Sequence, residues 1–233
     1  MKFKLIGTGI AALSLLAVTF PAEAADIRTP VYKGVRSVVS YYNWTGFYAG
    51  IQGGYAWGTS DWDSPAGTSN RPTGYLIGGT LGYNYQMGSW VWGIEGDAAW
   101  ADIKGSTPCG AFTCETKTEY LGTIRARLGY AFDRFLPYIT GGGAYGNIRA
   151  TNTNPATTGM NTAKFGWTAG AGLEYAFLGN WSAKLEYLYV DLGSADCGAA
   201  CNPGVVTNNI SLRENIIRAG LNYKFSGPVF SRF

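Results

Sequence analysis

Histidine is absent from the 233 residues. Its absence excludes a Ser-His-Asp triad, imidazole acid–base chemistry and the commonest metal ligand. Charge is scarce as well: Asp, Glu, Lys and Arg make up 14% of the chain, less than a soluble surface normally carries. The formal charge is +3. Removing residues 1–24 takes away Lys2, Lys4 and Glu23 and leaves +2, which excludes the strongly basic surface that nucleic acid requires. Long apolar runs are missing too. Beyond residue 24 no segment approaches the roughly 18–20 uninterrupted apolar residues of a membrane helix. Any membrane span is therefore built of strands, and strands cross a bilayer only as a closed barrel.

The one apolar run, Leu5 to Phe20, follows Lys2 and Lys4 and ends at the small-residue site Ala22-Glu23-Ala24. It reads as a cleaved secretory signal, because it is short for a spanning anchor and no basic stop-transfer cluster follows it. The expected organisation is a signal over residues 1–24, a periplasmic tether over 25–43, a barrel over 44–225 and a tail over 226–233.

What the chain has in quantity is 34 Gly and 35 aromatic residues, and the aromatics are regularly placed. Four segments share the pattern Leu-x-Tyr-x-aromatic: Leu81 to Tyr85, Leu128 to Phe132, Leu173 to Phe177 and Leu221 to Phe225. Their leucines are 47, 45 and 48 residues apart, about the length of two membrane strands with one short and one long connection. The first three endings run into turn formers, Gly88-Ser89, Asp133-Arg134 and Gly179-Asn180. The other connections, Thr59 to Thr73, Ser106 to Thr116, Thr151 to Thr162 and Ser194 to Asn209, are rich in Thr, Asn, Gly and Pro. Short turns alternating with long loops are the asymmetry of outer-membrane barrels.

Eight strands are expected: Trp44 to Gly58, Gly74 to Met87, Trp90 to Lys104, Lys117 to Phe132, Leu136 to Ala150, Ala163 to Phe177, Trp181 to Gly193 and Ile210 to Phe225. The fold class is all-β, an antiparallel up-and-down transmembrane barrel. Within the second strand Tyr75, Ile77, Leu81, Tyr83 and Tyr85 share one face, and Gly78, Thr80, Gly82, Asn84 and Gln86 the other. Alternation alone fits a soluble lipocalin-like barrel equally well. Size decides for the membrane, since an eight-stranded interior is only wide enough for its own side chains and cannot hold the rings of all the strands. Trp44, Tyr83, Tyr85, Trp90, Tyr130, Phe132, Tyr138, Tyr175, Phe177, Trp181, Tyr223 and Phe225 are thus expected to form one outward aromatic girdle at a membrane interface.

The opposite face is mostly small, interrupted by Glu95, Asp97, Arg125, Arg127, Glu174, Lys184, Glu186 and Arg218. This reads as a polar lumen with a charge network, either a structural salt-bridge plug or a narrow path for ions or small solutes. Cys109 with Cys114 and Cys197 with Cys201 form two close pairs, each expected as a local loop disulfide in an oxidising compartment. The stretch Gly141 to Gly146 matches Gly-x-Gly-x-x-Gly, but no helix follows it, so it carries no dinucleotide reading. No catalytic, cofactor or metal residue is assigned.

The segment Asn43-Trp44-Thr45-Gly46-Phe47-Tyr48, the start Ala25-Asp26 and the ending Arg218 to Phe225 together resemble the small outer-membrane immunogenic protein family of alphaproteobacteria, which includes RopB-type proteins of rhizobia. The resemblance covers essentially the whole mature chain. It implies a surface-exposed, porin-like outer-membrane barrel and a C-terminal aromatic, Phe225 or Phe233, read by the barrel-insertion machinery. The expected function is structural and surface-exposed, with outer-membrane lipids and lipopolysaccharide, and host or environmental ligands on the long loops, as partners; the alternative is a narrow channel.

Overall fold

The computed structural model describes residues 41–62, 68–109, 112–153, 160–196 and 209–225. The expected signal, the tether before Tyr41, the tail 226–233, Cys197 and Cys201 lie outside the described residues.

The strands are β1 (Gly46–Trp62), β2 (Thr68–Asn70), β3 (Thr73–Met87), β4 (Trp90–Cys109), β5 (Phe112–Tyr130), β6 (Phe135–Asn152), β7 (Met160–Leu178), β8 (Trp181–Asp196) and β9 (Asn209–Lys224). Each wall strand pairs antiparallel with the next, and β1 pairs with β9 from Tyr48↔Lys224 to Trp62↔Ile210. That last ladder closes the sheet and leaves the wall without an edge. Eight strands form the wall; the three-residue β2 is a flap paired only with the loop end of β1.

The three tight connections follow their turn chemistry. Gly88, Asp133 and Gly179 have φ of +64°, +54° and +50°, the left-handed backbone that lets a two-residue turn match the strand twist. At the opposite end the strands outrun the sequence expectation. β4 and β5 continue in register through Thr107↔Cys114 and Cys109↔Phe112, so most of the stretch read as a long loop from Ser106 to Thr116 is a hairpin. Its Thr, Cys and Phe are good strand formers.

The outer wall is apolar in the middle, with Ile51, Ile77, Leu81, Ile94, Ile124 and Ile139 all exposed on it. At the turn end Tyr85, Trp90, Tyr130, Phe132, Tyr175, Phe177, Trp181, Tyr223 and Phe225 point outward, and half-buried Tyr83 lies against Phe47 at 4.7 Å between ring centres. Two residues expected in this girdle are elsewhere. Trp44 is 2% exposed and Tyr138 5% exposed, both inside the barrel. Trp44 shares sequence parity with Tyr48, Gln52 and Ala56, which face inward, and Tyr138 with Leu136 and Thr140; the outward rings at those two places are Phe47 and Phe135.

A second outward aromatic belt nearer the loops went unread in the sequence. It includes Trp57, Tyr75, Trp100, Tyr120, Tyr145, Phe165 and Trp167, with Trp100 directly opposite Tyr120. Beyond it the outer face turns charged at Asp102, Lys104, Lys117, Glu119 and Arg149. Two belts of rings bracketing an apolar band mark the two membrane interfaces.

Candidate functional site

The interior of the barrel is layered. At the turn end Trp44, Val91, Leu136 and Ala176 form a small apolar stopper. The segment before β1 is tied there: Trp44 N donates to Gln86 Oε1 at 2.8 Å, Trp44 Nε1 to the Asp133 carbonyl oxygen at 2.9 Å and Tyr42 N to Asp133 Oδ1 at 2.7 Å. Lys224 Nζ donates to the Asn43 carbonyl oxygen and lies over the Tyr42 ring. Burial pushes the Tyr42 phenol above its ordinary value, and the Glu174 carboxylate adds to the effect.

Above the stopper lie all eight charges that the sequence placed on the inner face, each nearly or wholly buried. Glu95 and Arg125 are direct cross-strand partners, and Arg125 Nη2 reaches Glu95 Oε1 at 2.5 Å and Asp97 Oδ2 at 2.8 Å. The longer arms cross the lumen. Arg125 meets Glu186 at 2.9 Å, Arg127 meets Glu174 at 2.7 Å, Lys184 meets Glu95 at 3.0 Å and Arg218 meets Asp97 at 3.0 Å, while Arg218 also pairs at 2.6 Å with Glu186, its direct cross-strand partner. Four cations and four carboxylates balance. Such groups are tolerable away from water only because each is paired and hydrogen-bonded.

Two tyrosines complete this layer. Tyr48 Oη donates to Glu95 Oε2 at 2.7 Å and accepts from Arg127 Nη1 at 3.0 Å, while Tyr138 Oη donates to Glu186 Oε1 at 3.1 Å and its ring lies 3.9 Å from the Arg127 guanidinium carbon. Each ring lies across an inward glycine of the next strand, Tyr48 over Gly82 and Tyr138 over Gly172. A methyl carbon at either glycine would sit within 2.5 Å of the ring. The glycines are what make room for rings inside so narrow a barrel.

Nearer the loops the interior is apolar, where the sequence reading expected a polar lumen throughout. Leu76, Ala99, Ile103, Leu121, Ile148, Leu188, Leu212 and Ile216 belong to one buried cluster, to which Ala56 of β1 and partly buried Met160 of β7 also contribute. All eight wall strands feed it. The transition is visible along β8, whose inward face reads Ser182, Lys184, Glu186, Leu188, Val190, Leu192. This apolar layer draws on the whole circumference, with Glu214 and Thr118 set among its side chains.

Of the cysteines, Cys114 is disulfide-bonded, and the side chain of Cys109 lies outside the described residues. Among the described residues no group of three or more Asp, Glu, Cys or His side chains is placed to hold a metal ion.

The profile of the outer membrane protein β-barrel domain matches residues 10–225. The chain is 38% identical over 213 residues to the 31 kDa outer-membrane immunogenic protein of Brucella melitensis biotype 1, covering 80% of this chain and 86% of the relative. It is 33% identical over 221 residues to the 25 kDa outer-membrane immunogenic protein of Brucella abortus biovar 1, covering 95% and 97%. The 22 kDa outer membrane protein of Rhizobium leguminosarum bv. viciae is 32% identical over 185 residues, covering 78% and 79%.

Proposed function

The chain belongs to the outer membrane protein β-barrel domain family, among the outer-membrane immunogenic proteins, and from that premise we propose that it is a sealed, non-enzymatic anchor that holds its loop-side hairpins at the cell surface and contributes to envelope integrity. The apolar layer between the charge network and the loops carries this reading. A diffusion pore needs a wetted lumen, and this one is filled at two levels, by ion pairs and then by hydrocarbon. Against an enzyme stands the absence of histidine.

On this reading the outer wall contacts outer-membrane lipids and, beyond the loop-side ring belt, lipopolysaccharide. The loop-side hairpins supply the surface for host or environmental ligands, and the barrel-insertion machinery places the chain in the membrane. The test is reconstitution of the refolded chain in planar bilayers: no discrete conductance steps are expected at loadings where heat-modifiable gel mobility proves insertion of folded barrel. Reproducible steps, altered in size by Arg125→Ala, would establish the narrow channel instead.

A further inference from the structure

One interior charge takes no part in the network. Glu214 lies on the inward face of β9 between Leu212 and Ile216, is 0% exposed, and has no Lys or Arg in ion-pair contact among the described residues. Its Oε1 accepts a hydrogen bond from Thr118 Oγ1 at 3.1 Å across the lumen, and its Oε2 has no partner among the described residues. With the other eight charges balanced, this carboxylate is uncompensated.

The next inward positions towards the loops are rich in oxygen. Thr116, two residues before Thr118 on the same inward face of β5, shares a hydrogen bond of 3.1 Å with Ser60 of β1. Asn70 of the flap β2 donates from Nδ2 to the same Thr116 hydroxyl at 3.3 Å, and is buried with its Oδ1 unpartnered among the described residues. Two bare acceptors and three hydroxyl oxygens thus occupy two successive inward tiers on strands β1, β2, β5 and β9.

An isolated carboxylate away from water takes up either a proton or a cation. A water molecule would satisfy the lone pairs but leave the charge. A divalent ion would reverse the charge, and soft metals favour sulfur and imidazole. We propose that Glu214, Thr118, Ser60, Thr116 and Asn70 form a site for one small, hard, monovalent cation of the sodium class, set within the loop-side part of the apolar layer with β2 at its loop side. The site is independent of whether the barrel conducts, because conductance and sodium dependence are read separately.

The experiment uses the full chain refolded in detergent, with its unfolding midpoint followed by tryptophan fluorescence while sodium chloride replaces choline chloride at constant ionic strength and pH. The wild-type midpoint is expected to rise with sodium and saturate. Glu214→Gln is expected to fold and to show no sodium response, and Asn70→Ala to shift half-saturation about tenfold upward, the loss of one oxygen ligand. A wild-type midpoint indifferent to the choice of cation overturns the site and leaves Glu214 a neutral carboxylic acid. An undiminished sodium response in Glu214→Gln overturns it equally.

Discussion

Arg218 of β9 and Asp97 of β4 belong to strands separated by β1 and β3 around the wall, yet meet across the lumen through two hydrogen bonds of 3.0 Å. Arg218 also reaches Glu186 at 2.6 Å, which in turn holds Arg125. The pairs thereby brace the barrel through its lumen, a direction in which the backbone ladders supply nothing. Removing one member of a buried pair leaves the other charged and unpartnered, at a cost on the order of 3–5 kcal/mol. Arg218→Ala and Arg125→Ala are therefore expected to lower unfolding stability in urea by about that amount. The Asp97→Ala, Arg218→Ala double variant should be less destabilised than the sum of the singles, because the two lose shared contacts.

The apolar layer makes a different prediction. Leu188, 0% exposed and in the cluster, is replaced by Cys in a chain kept under non-reducing conditions. A membrane-impermeant thiol reagent applied to the folded barrel is expected to leave Cys at this position unmodified, and to label it after unfolding. Rapid labelling of the folded form would show that water reaches the middle of the lumen and would count against the sealed anchor.

Much of this was legible beforehand. The fourfold ending marked every second strand, the turn pairs at Gly88-Ser89, Asp133-Arg134 and Gly179-Asn180 close the tight connections expected of them, and period two separated the two faces of each strand. The loop-side half of the interior was misread because lumen polarity was inferred from the small residues and charges of the inner face. Leu188, Val190 and Leu192 share parity with Lys184 and Glu186, and following that parity to the strand end exposes the apolar layer. The misplaced Trp44 and Tyr138 have the same origin, ring type having been given precedence over parity. Cross-lumen pairs such as Arg218 with Asp97 are a different matter: they depend on how side chains span a closed ring, which no period along one strand encodes.

Tyr138 over Gly172 gives a packing prediction. Gly172→Ala would place a methyl 2.5 Å from the Tyr138 ring and 3.0 Å from the Leu185 carbonyl oxygen. The expected loss is about 1–3 kcal/mol, the usual penalty for overpacking. Tyr138→Leu alone removes the hydrogen bond to Glu186 and the ring beside Arg127. Combined with Gly172→Ala it should recover part of the overpacking penalty, and the measured coupling in a double-mutant cycle checks that the two positions interact directly.

The stopper at the turn end is held by Asp133 in two capacities, which three substitutions separate. Its backbone sits at φ +54°, a conformation that costs an ordinary side chain roughly 1–2 kcal/mol and that Gly and Asn adopt readily. Its carboxylate accepts from Tyr42 N, while its carbonyl oxygen accepts from Trp44 Nε1. Asp133→Asn keeps both the backbone preference and an acceptor, and should match the wild type within error. Asp133→Gly keeps the turn but drops the side-chain acceptor, for an expected loss of about 1 kcal/mol. Asp133→Ala loses both and should be the least stable of the three. Because the Tyr42–Asp133 contact fastens the segment before β1, the Gly and Ala variants should also show faster hydrogen exchange at Tyr42. The Trp44 amide, bonded instead to Gln86, should be less affected. If Gly and Ala proved equally stable, the left-handed turn would contribute nothing to stability.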